Sequence, residues 1–439
     1  MSTAAWTFRA DPGPNRRAGA VPWSVAANAA PGALGCARPA AQLQQQSPSE
    51  APDRTANEVN SLPPRVREEL GKLDEKLSAI WDLGDNLVLA WTRRGPDLRF
   101  LAVRHYAIFE AFGADATGSD PVGANEFVNE LLAGPKCLAP ADFERICAML
   151  GTSALVVDAG IEPDVELEAA LVDSIVTRYG VSLVRERAVV LLDAVGFSLR
   201  APLDQLAMLN SLNYSVNSAC RQLQSRDIRI DFARTTTGDG FYIWNRAHGT
   251  DATIALYELM MLILADNAVA QRKAKRFPVP RLRAAFHVGE HYEFYQVEAL
   301  NPTAFGYIVG QVTVDLSRLI ETARPGQILL AEFALCLEDD TTGGSSRCDT
   351  RGFIAQAAAR LDGLSGLVVS EDRIEAVRCY LTGPGEADGI YLVSRYENRD
   401  KHGAPRYAYN AKINIHLHRG QPIFLGIQHQ DLPASGIGI

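Results

Sequence analysis

The stretch Leu191-Leu192-Asp193-Ala194-Val195-Gly196-Phe197-Ser198 constrains this chain more than any other. Ala188 to Leu192 is apolar, partly β-branched and too short for a helix, which predicts a buried strand. Asp193 ends the run abruptly, and a small-residue turn comes next. A carboxylate at the end of a buried strand can hold a hard cation, and backbone N–H groups in a glycine turn beside it can approach phosphate oxygens. An aspartate there can equally cap the next helix, so the reading depends on the motifs further along the chain.

From about Val181 strands and helices alternate. After the first strand, Pro202 to about Gln224 predicts a helix with Leu203, Leu206, Leu209, Leu212 and Val216 facing inward. Strands near Ile228–Ala233 and Phe241–Trp244 flank Arg234-Thr235-Thr236-Thr237-Gly238-Asp239-Gly240, a hairpin loop with two glycines. A helix over Ala252–Ala270 and a strand over Leu282–Val288 come after it. Gly306–Val309 predicts a further strand, Gln311–Ala323 a helix and Gln327–Leu330 a strand. The order β-α-β-β-α-β predicts an α+β, ferredoxin-like domain over residues 181–335.

The flanks read differently. Residues 1–60 are rich in Ala, Pro, Gln and Ser and lack an apolar period, so a disordered tail is expected. Arg16-Arg17 and the segment ending at Cys36 have a faint export-signal look, but Pro22, Trp23, Asn28 and Pro31 interrupt any apolar core. Residues 61–180 predict a helical N-terminal region. Its segments are Val66 to Leu83, Arg104–Phe112, Ala124–Leu132, Pro140–Leu150 and Glu166–Arg178. Residues 336–439 predict a C-terminal extension. It opens with a loop, Glu338–Thr350, and continues with a helix near Phe353–Leu361. Strands are expected at Ala376–Leu381, Gly389–Tyr396, Arg406–His416 and Pro422–Gln428, and Ala434–Ile439 forms a loose tail.

Composition narrows the classes of partner. A formal net charge of -9 argues against broad nucleic-acid binding. The seven cysteines are odd in number and widely spaced, with no C-x-x-C, as expected of reduced thiols in cytoplasm. The most apolar run, Leu259 to Ala265, is bracketed by Glu258 and Asp266, so no membrane partner is expected.

Asp193 and Asp239 each sit where a strand meets a tight turn, on strands that such a topology makes neighbours. Two carboxylates at one rim can share divalent cations for phosphoryl transfer. The motifs here resemble those of class III nucleotidyl cyclases. Leu192-Asp193-Ala194-Val195-Gly196-Phe197-Ser198 is similar to their F-x-D-I-x-G-F-[ST], and Thr237-Gly238-Asp239-Gly240-Phe241 to their G-D-[GA]-[FY] hairpin. Arg283-Ala284-Ala285-Phe286-His287-Val288-Gly289 resembles R-x-G-I-H-x-G, and Gly310 through Arg318 to Ala323-Arg324-Pro325-Gly326-Gln327-Ile328-Leu329 resembles G-x-x-V-N-x-A-x-R-L…A-x-P-G-Q-I-L. The resemblance covers about Arg187 to Ala331. It implies a head-to-tail homodimer with composite sites and two Mn²⁺ or Mg²⁺ ions on Asp193, Asp239 and the Ala194 backbone. It implies triphosphate binding by Ala194, Val195, Gly196 and Phe197. Arg318, supplied by the partner, would steady charge at the α-phosphate.

The departures from that pattern bear on substrate. The purine-reading lysine position is Thr235, with Arg234 beside it; the second purine-reading position is Tyr307; the asparagine position is Val314. With the metal aspartates kept and purine readout dismantled, the chain resembles the Pycsar pyrimidine cyclases of bacterial anti-phage defence. The distal Asp400-Lys401-His402-Gly403 and Tyr409-Asn410-Ala411-Lys412 also fit that group. This implies conversion of UTP to 3′,5′-cyclic UMP and pyrophosphate, with a separate effector reading the product, and Tyr307, Thr235 and Arg234 as candidates for base recognition. The alternatives are a cytidylate cyclase acting on CTP, a catalytically dead nucleotide-binding module, and a purine cyclase reading its base through Arg234. His287, on an apolar strand, is expected to be a hydrogen-bonded core histidine.

Overall fold

The protein was analysed as a computed structural model that describes residues 62–95, 97–107, 128–151, 154–158, 167–228, 230–247, 249–297, 304–338, 345–369, 371–384, 392–399 and 405–432. The expected tails 1–60 and 434–439 and Asp400–Gly403 lie outside these residues, as does most of Arg104–Phe112.

The N-terminal region is not only helical. Strands β1 (Asn86–Arg94), β2 (Asp97–Arg104) and β3 (Ala154–Asp158) form an antiparallel sheet in that order. Helices α1 (Pro64–Trp81) and α3 (Ala169–Thr177) cover one face, through Leu73, Leu77, Val172 and Val176 against Val88, Trp91 and Phe100. Helix α2 (Pro140–Leu150) covers the other, through Phe143 and Ile146 against Leu89, Ala90 and Leu101. A strand buried on both faces has no polar alternation, which is why Leu87 to Trp91 gives no strand signature.

The large sheet has eleven strands. Its centre is β4 (Val181–Ala194), paired with β6 (Gly240–Asn245) on one side and β7 (Leu282–Val297) on the other, all antiparallel. With β5 (Phe232–Thr236), the β-α-β-β-α-β run stands in the sheet as β7-β4-β6-β5. Side chains alternate along β4. Val190 and Leu192 pack with α4 (Pro202–Gln224) and α5 (Thr250–Lys273), while Val189 and Leu191 pack with α6 (Gln311–Thr322). Helix α5 is apolar and long enough to span a bilayer, yet 83% of that stretch is buried inside the protein. Strand β8 (Ala304–Val309) pairs with β7, and β9 (Ile328–Ala331) lies parallel to β7.

The C-terminal extension continues this sheet. Strand β15 (Pro405–Leu417) pairs with β9 and carries β13 (Asp372–Leu381), β14 (Tyr396–Arg399) and β16 (Ile423–Leu425), and the short β12 (Val368–Val369) pairs with β13. The expected loop after Glu338 is instead half of a hairpin, β10 (Ala334–Glu338) with β11 (Ser345–Asp349), leading into α7 (Thr350–Leu361). The expected inward face of α4 also needs correction. Burial begins at Met208 and continues through Leu212, Val216, Ala219 and Leu223, whereas Leu203 is 76% and Leu206 54% exposed because the first two turns overhang the core.

Two structural points are testable. Gly240 faces Asp193 across the β4–β6 pair, and a Cβ there would sit 1.8 Å from the Leu192 carbonyl oxygen. Gly240→Ala is therefore expected to destabilise by about 3 kcal/mol in chemical denaturation; an unchanged midpoint would show that the strands are not this close. Glu258 on α5 is 3% exposed, and burial raises its carboxyl to about 7 despite nearby Arg360. Its folded pKa exceeds its unfolded one, so its stabilising share is present below about pH 4.5 and is lost as pH rises through about 7. Glu258→Gln should flatten the stability profile across that window by at most roughly 3 kcal/mol, and an unaltered profile would assign the slope elsewhere.

Candidate active site

Strand register brings Asp193 and Asp239 together. Asp193 is the penultimate residue of β4 and pairs with Gly240 and Arg283. The hairpin before Gly240 is closed by Thr237 N–H to the Gly240 carbonyl and Gly238 N–H to Thr236 Oγ1, both at 3.0 Å. This sets the Asp239 carbonyl to accept from Ala194 N–H at 3.0 Å. The two carboxyls are near enough for the Asp239 charge to act on Asp193. Burial and the neighbouring Asp239 push the Asp193 carboxyl above its ordinary range, against the pull of Arg283.

Arg283 was not singled out in the sequence as a site residue, and it is the cation of this rim. Its Nε donates to Asp193 Oδ2 at 2.6 Å, and its Nη1 donates to the Ala323 carbonyl at the end of α6, at 3.2 Å. The usable signal was parity: Arg283 lies opposite Asp193 once β4 and β7 are paired.

The turn is less open than expected. Ala194 N–H is taken by Asp239, and Val195 N–H donates to the Arg281 carbonyl at 2.9 Å. Gly196, at φ 68°, turns the chain into a short 3₁₀ segment, Phe197–Leu199. Among the described residues the N–H groups of Gly196 and Phe197 take no protein acceptor, so the phosphate-facing part of the expected cradle narrows to these two.

The remaining candidates lie apart from the carboxylates. Arg318 is on α6, its Nη1 3.2 Å from both oxygens of Glu321 one turn on, and it shares an outward face with Val314, which is 44% exposed. Tyr307 pairs with Phe294 between β8 and β7, and the rings stack at 5.6 Å. Phe294 is eleven residues beyond Arg283 on β7, about 36 Å of strand path from the rim. Arg234 lies with its guanidinium 5.3 Å over the Phe241 ring, and among the described residues its buried Nη1 has no hydrogen-bond partner. Thr235, the next residue, faces the other side of the sheet. Lys412 is buried, with Nζ donating to the Gly426 carbonyl at 3.0 Å.

The donors fit a hard divalent cation. Two adjacent carboxylates repel unless a cation lies between them, and oxygen donors suit Mg²⁺ or Mn²⁺. Among the described residues no group of three or more His, Cys, Asp and Glu assembles, so the protein supplies two carboxylates and leaves other positions to backbone, water or ligand phosphates.

No family model and no curated sequence matches the chain. The solved structures to which it is similar include adenylyl and guanylyl cyclase domains. Alignment to the guanylate cyclase domain of RhGC from Catenaria anguillulae, in complex with GTP, covers 52% of this chain and 97% of that one, at 11% identity and TM-score 0.32. Alignment to the adenylyl cyclase CyaB from P. aeruginosa covers 52% and 95%, at 13% identity and TM-score 0.30. Alignment to a dimeric guanylyl cyclase domain of RhoGC from Blastocladiella emersonii covers 39% and 98%, at 15% identity and TM-score 0.28. These likenesses assign no substrate to this chain.

The Asp193–Arg283 pair predicts a measurable cost. Arg283→Leu leaves a mostly buried carboxylate beside Asp239 and should destabilise by about 2 kcal/mol near neutral pH. Adding Asp193→Asn in the same chain should recover most of that loss. A single variant as stable as the parent would rule out a structural role for the pair.

Proposed function

We propose that this protein is a nucleotide cyclase that uses the Asp193–Asp239 rim for phosphoryl transfer. Within that class we infer a pyrimidine nucleotide as substrate, UTP before CTP. The carrying observation is the meeting of two carboxylates from separate sequence motifs at one sheet edge, next to a glycine turn.

Asp193 and Asp239 would hold the divalent cations, with Arg283 fixing the Asp193 rotamer. When bound, such cations neutralise the triphosphate and favour ionisation of the ribose 3′-hydroxyl. Gly196 and Phe197 N–H groups would orient a phosphate oxygen. The 3′-oxygen forms a bond to the α-phosphorus, the bond to pyrophosphate breaks, and the hydroxyl proton passes to solvent. Arg318 would act from a second copy, where its guanidinium meets charge developing on the α-phosphate once it leaves Glu321. Tyr307 supports the pyrimidine reading, since a tyrosine at that position suits stacking on a single ring and presents a hydroxyl to the base edge. On this reading the cyclic product acts in the cytoplasm as a second messenger for a separate effector in anti-phage defence.

A nucleotide-binding module without turnover is the second reading. It is favoured by Val314 at the exposed α6 position and by the Arg318–Glu321 pair.

Incubation with Mn²⁺ and each of ATP, GTP, CTP and UTP, with products identified by mass, decides between them. Cyclic UMP or CMP is expected from the parent. Asp193→Ala and Asp239→Ala are expected to lower turnover by at least about a thousandfold while leaving the sedimentation profile unchanged. Cyclic AMP or GMP would refute the pyrimidine assignment, and full activity in either variant would refute the two-carboxylate mechanism.

A further inference from the structure

The C-terminal end of α4 lies about 30 Å of helix away from the turn that follows Asp193. A cavity of about 460 Å³ opens there, between the end of α4 and the turn before β12. Arg221, Gln222, Arg226, Gly366, Leu367 and Val368 line it. No carboxylate does, and among the described residues neither Arg221 nor Arg226 pairs with an acidic side chain.

One of the two cations is seated in advance. The Arg226 guanidinium donates to the Ser365 carbonyl. Gly366 leaves room for it, since a Cβ there would sit 2.9 Å from Arg226 Nη2. Gly366 is itself fixed at φ 83°, its N–H donating to the Ile374 carbonyl at 2.7 Å. A group ordered before a ligand arrives loses less entropy on binding. Arg221 is exposed and has no protein partner among the described residues.

The neutral groups of the wall are already engaged. Ser218 Oγ donates to Asp266 Oδ1 at 3.1 Å and accepts from Gln222 Nε2 at 3.3 Å, and Ser225 Oγ donates to the Gln222 carbonyl at 2.7 Å. The lining hydroxyls have no proton to offer, so the charged donors left for a ligand are the two guanidiniums. The α4 dipole places about half a negative charge at this end, which two full positive charges outweigh. Two arginine forks match a phosphate monoester, which is close to doubly charged at neutral pH and accepts bidentate pairs. A carboxylate, with a single charge, answers only one of them. The volume lies within the roughly 300–1,000 Å³ of small-molecule sites and exceeds what a bare phosphate ion fills. Buried Leu367 and Val368, which is 51% exposed, offer an apolar wall to the rest of such an ester.

We propose that this cavity binds a small phosphate monoester, its phosphate held by Arg221 and Arg226 and its body against Leu367 and Val368. The binding claim stands apart from the cyclase reading.

Isothermal titration of the full chain in EDTA, which keeps cations off the carboxylate rim, tests this with ribose 5-phosphate, glycerol 3-phosphate and uridine 5′-monophosphate. At least one ester is expected to bind with Kd below about 1 mM, and its dephosphorylated parent at least about tenfold more weakly. Arg221→Gln, at an exposed position, should weaken that ester at least about tenfold, and Arg226→Gln by a similar factor. The first variant decides the matter should the second disturb the Ser365 turn. Asp193→Ala is expected to bind the ester as the parent does. The proposal is overturned if none of the three esters binds, if Arg221→Gln binds as tightly as the parent, or if the alcohol binds as well as its ester. Loss of binding in Asp193→Ala would put the phosphate at the rim and overturn it too. A phosphoserine peptide that binds more tightly than every ester overturns the small-molecule assignment.

Discussion

The pairing of β4 with β6 is the contact on which the candidate site depends. Gly240 allows the hairpin backbone to lie against the Leu192 carbonyl, where any side chain would collide. That closeness brings the Asp239 carbonyl to Ala194 N–H and its carboxyl to Asp193. Neither aspartate would reach the other if the two strands slipped by one residue, because a one-residue change of register turns each side chain to the opposite face. The β-strand core and the meeting of the two carboxylates are therefore specified by the same hydrogen bonds.

Arg283 extends this dependence to the other side of β4. It joins a carboxylate at a strand end to the last carbonyls of α6, which need a donor because a helix leaves them unpaired. One guanidinium thus compensates two local costs, the partial burial of Asp193 and the open end of α6. The same helix is tied at its middle by Asp315 to β7 and to β15, so the C-terminal strands help hold the helix that presents Arg318.

Legibility from sequence tracked the range of the interactions. Helix α4 was bounded correctly at Pro202 and Gln224 because proline at the first turn is a local signal. Asp193 and Asp239 were readable because each sits in its own turn chemistry. Strands β1 and β2 were not, since burial on both faces erases the period that marks a strand. Leu203 and Leu206 have helical spacing like Leu212, yet only the position of the sheet beneath decides which of them is covered. Arg283 and the His287–Asp315–Arg406 cluster depend on contacts between elements far apart in the chain, and no short window of sequence contains them.

The sheet geometry bears directly on how many copies a working site would need. Asp193 and Tyr307 sit at opposite ends of the β4–β7 pair, separated by strand path far longer than a nucleotide's base-to-phosphate reach. Arg318 points from the outward face of α6 and is held there by its own helix neighbour, Glu321. If the metal rim and Tyr307 act on one substrate, they have to come from different subunits. The second copy proposed to supply Arg318 would then supply Tyr307 as well.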